Sequence, residues 1–222
     1  AFLGVFFYQP LLALFNLIIS PEWDFSLVDL DWGKLWDPLW FTLFQATLST
    51  LLTLIIGLPG AWLFARFSFP GKKVLKLLTT LPFILPTVVV AAGFNALLGP
   101  RGWANLGLMA LFNLDTPPIE FLNTFWAILT AHVFYNTTII IRVVSNAWAG
   151  QNIRLRHAAT VLGASPRKVF KEVTLPLLRP SILSATLLVF LFNFTSFGVV
   201  LMLGGPQFAT LEVEIYIQAL HL

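Results

Sequence analysis

The chain has 222 residues, of which 58% are hydrophobic and only 10% are charged, and its formal net charge at pH 7 is +3. A soluble domain of this size cannot hide so much apolar surface in its interior, so the composition excludes an ordinary soluble fold. The chain contains no cysteine, which excludes disulfides and thiolate metal sites.

Five apolar segments are long enough to cross a hydrocarbon core of about 30 Å as helices. They lie at about residues 2–19, 39–65, 75–98, 121–144 and 181–203. Lipid offers no hydrogen-bond partners to the backbone, so each span must be helical. The sequence therefore predicts an all-α fold, a polytopic transmembrane helical bundle that forms one domain over residues 1–222. The first segment could instead be a signal peptide, but it is longer than usual and has no basic start or cleavage site.

Charged residues set the orientation of these spans. Two loops carry most of the basic residues, which are Arg66, Lys72, Lys73 and Lys76 after the second span, and Arg142, Arg154, Arg156, Arg167, Lys168, Lys171 and Arg179 around the loop after the fourth. The positive-inside rule places both loops in the cytoplasm, so the basic residues indicate topology and not nucleic-acid binding. The chain starts without methionine and stops after an odd number of spans, so we expect it to be part of a longer polypeptide.

Several residues inside the predicted spans are candidates for a solute pathway. These residues are Pro82, Pro86, Asn95, His132, Asn136 and Asn193. Two prolines four residues apart should share one face of the third span and kink it, as a moving bend or as a static one. Polar groups at this depth usually face the bundle interior or a cavity. Hydrogen bonds between helices alone would explain any one of these polar residues.

The loop at residues 151–179 has internal organisation beyond its charge. Residues 153–162 favour a short helix, and Gly163 suits the left-handed position that ends one. Ser165 is then a good N-cap and Pro166 a good first residue of a second helix. The pair Leu175–Pro176 is expected to end that helix before the next span. The alternative, a basic loop that serves only for orientation, explains the charges but not this pattern.

The same loop resembles a motif of bacterial ABC-importer permeases, written E-A-A-x-x-x-G with a later L-P. The matching residues are Ala158, Ala159, Gly163, Leu175 and Pro176, while His157 stands where the family usually has glutamate. The resemblance implies coupling helices that dock into a groove on a separate ATP-hydrolysing subunit. It assigns ATPase coupling to His157, Ala158, Ala159, Gly163, Ala164, Phe170, Leu175 and Pro176.

Four further segments resemble the ferric-iron and thiamine branch of these permeases. They are Leu81–Pro86, Ala131–Asn136, Leu203–Pro206 and Thr210–Tyr216. The resemblance implies ferric iron or thiamine as the substrate and the bacterial inner membrane, with its lipid, as the location. It also implies three protein partners, namely an ATPase dimer on the cytoplasmic side, an external solute-binding protein and a second permease half, fused or separate.

Two other classes of function remain as alternatives. An ion-gradient-driven secondary transporter should carry carboxylates inside the membrane, but all ten acidic residues fall outside the predicted spans. A membrane-embedded enzyme using His132 as a base would need a nucleophile or carboxylate at the same depth, and the sequence indicates none. The sequence has no phosphate-binding G-x-x-x-x-G-K-[ST] loop, so we expect no enzymatic activity, metal or cofactor of its own, with ATP bound by the partner ATPase.

Overall fold

The computed structural model describes residues 7–19, 32–205 and 207–220. Every regular element within these residues is helical. The helices are α1 (Gln9–Ile19), α2 (Trp32–Arg66), α3 (Lys72–Leu78), α4 (Leu81–Ile84), α5 (Thr87–Leu98), α6 (Trp103–Phe112), α7 (Phe125–Ala149), α8 (Ile153–Val161), α9 (Pro166–Val169), α10 (Leu175–Phe194), α11 (Phe197–Val199) and α12 (Leu211–Leu220). The chain divides into two compact units, Ala1–Trp36 and Asp37–Leu222, and the candidate sites all lie in the second.

Three helices in the described part of the chain are long and apolar enough to cross a membrane, namely Leu35–Arg66, Phe125–Ala149 and Pro166–Phe194. A fourth crossing is added if the bent pair Lys72–Ile84 and Thr87–Phe112 is one broken span. The predicted total of five spans is therefore not confirmed. The first predicted span, 2–19, starts outside the described residues, and what is described of it includes the 11-residue helix α1.

The third predicted span is broken between its two prolines. The predicted bend at the two prolines is present, but the prediction of one helix over residues 75–98 is wrong, because Leu85 and Pro86 are extended, with ψ of 135° and 143°. The helical segments on either side of this break are bent by 108°. Proline lacks the N–H needed to continue a helix, and it also disfavours helical geometry in the residue before it. Pro82 is buried within α4 whereas Pro86 is exposed, so the two prolines do not share a helical face.

The segment of residues 151–179 runs directly into the last long helix. The prediction that Leu175–Pro176 ends the second short helix is wrong, because Pro166–Phe194 is one continuous helix. A π-helical turn at Phe170–Thr174 joins α9 to α10, and Pro176 lies in the first turn of α10. The wider π turn leaves backbone groups without the regular i to i−4 pairing, so the missing N–H of proline is tolerated there. α9 and the apolar helix α10 therefore form one continuous helix.

Helix α7 is the central element of the second unit and the most buried of the three long helices. Its first half packs against α11 and the turn that follows it. Its second half packs against α2 and α10. The α7 residues at the centre of these two clusters are Ala127, Ile128, Ala131, Ile139, Ile140 and Val144.

Two glycines on α2 allow it to approach α7 closely. A Cβ atom added at Gly57 would lie 2.7 Å from the Cβ of Ile140, and one added at Gly60 would lie 2.9 Å from Ile141. Real Cβ atoms do not tolerate such distances: at Gly57 only glycine fits without displacing the partner helix, whereas at Gly60 the end of the Ile141 side chain would have to move. Small residues at helix crossings are the usual means of close packing within membranes. The contact fixes α2 against the middle of α7.

Candidate functional site

The turn after α8 is closed as the sequence predicts. Gly163 has a φ of +82°, the left-handed conformation in which glycine carries no steric cost. Its N–H donates to the carbonyl of Thr160 at 2.9 Å, and the N–H of Ala164 donates to the carbonyl of Ala159 at 3.0 Å. These two bonds form a Schellman motif, which satisfies carbonyls left unpaired at the end of a helix. The position of Gly163 is therefore confirmed.

Side-chain caps define the start of both short helices. The side-chain oxygen of Asn152 accepts from the N–H of Arg154 at 2.9 Å at the start of α8. The hydroxyl of Ser165 accepts from the N–H of Lys168 at 3.4 Å, and Pro166 occupies the first turn of α9. The predicted roles of Ser165 and Pro166 are confirmed. Local sequence alone is thus sufficient to specify a helix, a tight turn and a second helix.

The tip of α8 presents apolar side chains to solvent. Val161 and Leu162 are each 87% exposed, the highest fraction among the described large hydrophobic residues. His157 and Ala158, on the same helix, are exposed as well. An exposed apolar pair within a basic surface is typical of a site for a protein partner. The sequence analysis did not select Val161 and Leu162, although their position next to Gly163 could have indicated them.

Two other residues assigned to ATPase coupling, Phe170 and Leu175, pack toward the end of α7. The ring centroid of Phe170 lies 5.9 Å from that of Trp148 at the end of α7. Leu175 and Pro176 are partly buried, and Leu175 lines an apolar cavity together with Trp148. Within the predicted set, Phe170 and Leu175 therefore lie beside Trp148 of α7, and His157 and Ala164 line a cavity that Trp148 also lines.

A buried polar network joins α2, α7 and the α10–α11 region. His132 is only 1% exposed, and both of its ring nitrogens are hydrogen-bonded. Nδ1 lies 3.0 Å from the hydroxyl of Ser49 on α2, and Nε2 lies 2.6 Å from the hydroxyl of Ser196. Each serine belongs to a different segment, so His132 links three parts of the bundle.

Asn193 forms the second centre of this network. Its side-chain oxygen accepts from Asn136 at 2.7 Å, and its side-chain nitrogen donates to Thr50 at 3.1 Å. Its backbone carbonyl accepts from Gln45 at 2.8 Å. Asn136 and Asn193 are both buried. Interhelical hydrogen bonding, which the sequence analysis left open for these residues, is what the structure shows.

The network corrects one sequence-based argument. No nucleophile was expected near His132, yet two serine hydroxyls contact it. The α2 members were missed, although polar residues recur every three or four positions along that helix, at Thr42, Gln45, Ser49 and Thr53, and all four are buried. This spacing places them on one helical face. A polar stripe inside an apolar span is the signal that could have identified them.

A cavity of about 250 Å³ lies beside the network, where two helix breaks converge. One break is the extended pair between α4 and α5, which contributes Phe83 and Thr87 to the wall. The other is between α10 and α11, where Thr195 and Ser196 leave helical geometry with ψ of 41° and 54°. This second break also interrupts the predicted span 181–203. The remaining wall comes mainly from His132, Tyr135 and Asn136 on α7.

The structure brings only part of the predicted pathway together. His132 and Asn136 line the cavity. Asn193 does not line it but accepts a hydrogen bond from Asn136. Pro82 lines a different, apolar cavity against α7. Pro86 belongs to the break beside the cavity, and Asn95 lies on an exposed face of α5. Neither Pro82, Pro86 nor Asn95 is a lining residue of the 250 Å³ cavity.

Comparison with known proteins places this architecture. A crystal structure of a bacterial ABC transporter involved in the import of the acidic polysaccharide alginate matches with a TM-score of 0.73, at 20% identity, over 99% of this chain and 80% of that chain. The molybdenum transport system permease protein ModB of Azotobacter vinelandii is 34% identical over 179 residues, covering 79% of this chain and 76% of that protein. The thiamine transport system permease protein ThiP of Brucella abortus (strain 2308) is 35% identical over 190 residues, covering 84% of this chain and 34% of that protein.

These similarities define the class of protein as an ABC-importer permease. The family model described as binding-protein-dependent transport system inner membrane component matches residues 54–219, and the chain belongs to this family. The matched range contains both residues 151–179 and the residues that line the 250 Å³ cavity. Membership supports a transport function over the ion-gradient-driven and enzymatic alternatives. The chain spans about three quarters of ModB but only about a third of ThiP.

Proposed function

We propose that this chain forms the solute pathway of a binding-protein-dependent ABC importer in a bacterial inner membrane. A separate ATPase dimer acts from the cytoplasmic side, a solute-binding protein delivers the solute outside, and a second permease half completes the pathway. The family description, which names both binding-protein dependence and the inner membrane, supports this assignment. The greater length of the thiamine relative is compatible with a fused second half.

The observation that carries the coupling proposal is the exposed apolar pair Val161 and Leu162 at the tip of α8. An ATPase groove that covers this tip would bury both side chains, each contributing about 1.5–3 kcal/mol relative to full exposure. The Gly163 turn then connects the docked tip to α9, and α9 continues into the span that ends at Phe194. ATP-driven movement of the groove is thereby transmitted to the α10–α11 break beside the cavity.

Co-purification with an ABC ATPase that the unaltered chain captures tests the coupling proposal. Leu162→Asp should abolish capture of the ATPase, because a carboxylate replaces an apolar side chain in the groove. Leu162→Met keeps the apolar character and a similar volume, and it should retain capture. Equal capture by both variants at equal abundance would refute docking at this tip.

We propose further that the cavity at the two helix breaks lies on the solute path. Breaks in membrane helices are tolerated where irregular backbone is buried in protein or lines a water-filled cavity. The chain has no natural cysteine, so a single introduced thiol reports water access at one position. Thr195→Cys should react with a membrane-impermeant thiol reagent, and the reaction should block uptake. Leu183→Cys, at a 60% exposed position on α10, is the control that should leave uptake unchanged.

For the substrate, we propose thiamine or an oxyanion such as molybdate ahead of ferric iron. Relatives named for thiamine and molybdenum transport support the first two. The cavity wall offers hydroxyl, amide, imidazole and aromatic groups, which suit a small polar solute. A hard trivalent cation favours carboxylate ligands, and none of the lining residues is acidic.

Stimulation of ATP hydrolysis identifies the substrate directly. The complete complex in lipid is mixed with binding proteins loaded with thiamine, molybdate or ferric iron. The correct loaded protein should raise the ATPase rate, and the Leu162→Asp variant should lose that response. Stimulation by the iron-loaded protein alone would overturn the substrate proposal while leaving the importer assignment intact.

A further inference from the structure

Two cavities of about 420 Å³ each lie between the bundle and the inner side of α8. Four residues line both of them, namely Trp62 and Arg66 at the end of α2, Trp148 at the end of α7, and Arg156 on α8. The two cavities therefore share a wall that contains two guanidinium groups and two indole rings. The exposed tip residues Val161 and Leu162 line neither cavity.

The charge in these cavities is uncompensated within the described residues. No lining residue is acidic, and neither Arg66 nor Arg156 forms an ion pair with another described residue. The pKa of Arg156 is lowered by burial and, to a lesser extent, by the positive charge of Arg66. Two cations that repel each other beside an open cavity favour an anion between them. A phosphate group suits this position because guanidinium donors pair with its oxygens in bidentate geometry.

The position in the membrane favours a lipid as the source of that phosphate. Arg66 is the last residue of a membrane span, and Trp62 lies one turn before it. Trp62 and Phe67 are each 45% exposed, and their rings contact each other with centroids 4.9 Å apart. Exposed tryptophan at a helix end is typical of the level of lipid headgroups. Basic pockets between helices on the cytoplasmic side are suited to anionic headgroups.

We propose that Arg66 and Arg156 bind the phosphate of an anionic membrane lipid, such as phosphatidylglycerol, between the ends of α2 and α7 and the inner side of α8. The lipid would join α8 to the membrane span α2 and hold α8 in the orientation that exposes its apolar tip. The site depends on α2 being a membrane span and does not depend on the importer function.

Native mass spectrometry of the full chain from mixed micelles measures this binding. The micelles contain either phosphatidylcholine alone or a mixture with phosphatidylglycerol. Arg66→Gln and Arg156→Gln should each weaken retention of phosphatidylglycerol tenfold or more, as expected for loss of a charge-assisted hydrogen bond. Arg154→Gln is the matched control, because it removes one charge from the exposed side of the same helix, and it should change retention less than fivefold.

Three results would overturn the proposal. An equal loss in all three variants would show only general surface attraction. Displacement of the lipid by millimolar inorganic phosphate, with saturable binding of that phosphate in phosphatidylcholine alone, would assign the site to a soluble anion. Displacement of phosphatidylglycerol by the purified ATPase would assign the arginines to a protein contact. The Leu162→Asp variant, which should not bind the ATPase, should still bind phosphatidylglycerol. The lipid site and the proposed ATPase contact can therefore fail independently.

Discussion

Replacing Gly57 by alanine should loosen the contact between α2 and α7. The added Cβ would lie 2.7 Å from both the Cβ and the Cγ2 of Ile140, whereas carbon atoms pack at about 3.5–4.0 Å. The Cβ of Ile140 is fixed to its backbone, so the helices must separate by about 1 Å at this point. Overpacking of this kind costs about 1–3 kcal/mol, and the helical preference of alanine offsets up to about 1 kcal/mol.

Because the Cβ of Ile140 cannot turn away, the overpacking cost should fall in the upper half of this range, and the expected net destabilisation is about 1–2 kcal/mol. For a domain of this size, that corresponds to a fall in melting temperature of about 2–8 °C, which thermal unfolding of the solubilised chain can measure. Gly93→Ala and Gly107→Ala are matched controls within α5 and α6, because an added Cβ meets no atom within 4 Å at either position. Both controls should be neutral or slightly stabilising. If Gly57→Ala were as stable as these controls, the close-packing argument would fail.

Three further substitutions test other parts of the structure. Gly163→Val should reduce ATPase-coupled uptake because a left-handed backbone costs a non-glycine residue roughly 1–2 kcal/mol, while Gly163→Asn should keep most of it; equal uptake by both would count against the turn. Asn193→Leu removes side-chain hydrogen bonds worth about 0.6–2 kcal/mol each and should lower the melting temperature, whereas an unchanged value would indicate that the network adds no stability. Asn105→Ala leaves the partly buried N–H and carbonyl of Ile119 without their side-chain partner at up to about 1–3 kcal/mol each, so the 113–124 loop should be cleaved faster by protease; unchanged cleavage would argue against this anchor.

The sequence alone determined the class of fold and the local architecture of residues 153–169. Apolar length and composition are sufficient to predict helices in lipid, because no other open backbone structure satisfies its hydrogen bonds there. The helix, glycine turn and second helix at 153–169 depend on local capping by residues such as Ser165 and Gly163. These caps depend only on residues within a few positions of each other, so the local sequence is enough to predict them. The predicted roles of Ser165 and Gly163 are confirmed.

Only the tertiary structure decided how the spans are interrupted and which polar residues meet. Pro86 lies at a break in its span, where it and Leu85 are extended. Pro176 does not break its helix, because the π turn before it accommodates the missing N–H. Ser49 and His132 are 83 residues apart in sequence, yet the Ser49 hydroxyl lies 3.0 Å from Nδ1 of His132. Helical periodicity predicts which residues share a helical face, but it does not predict which helix packs against that face. The cavity exists because two breaks from distant segments meet beside α7, and the packing of helices against each other determines that meeting.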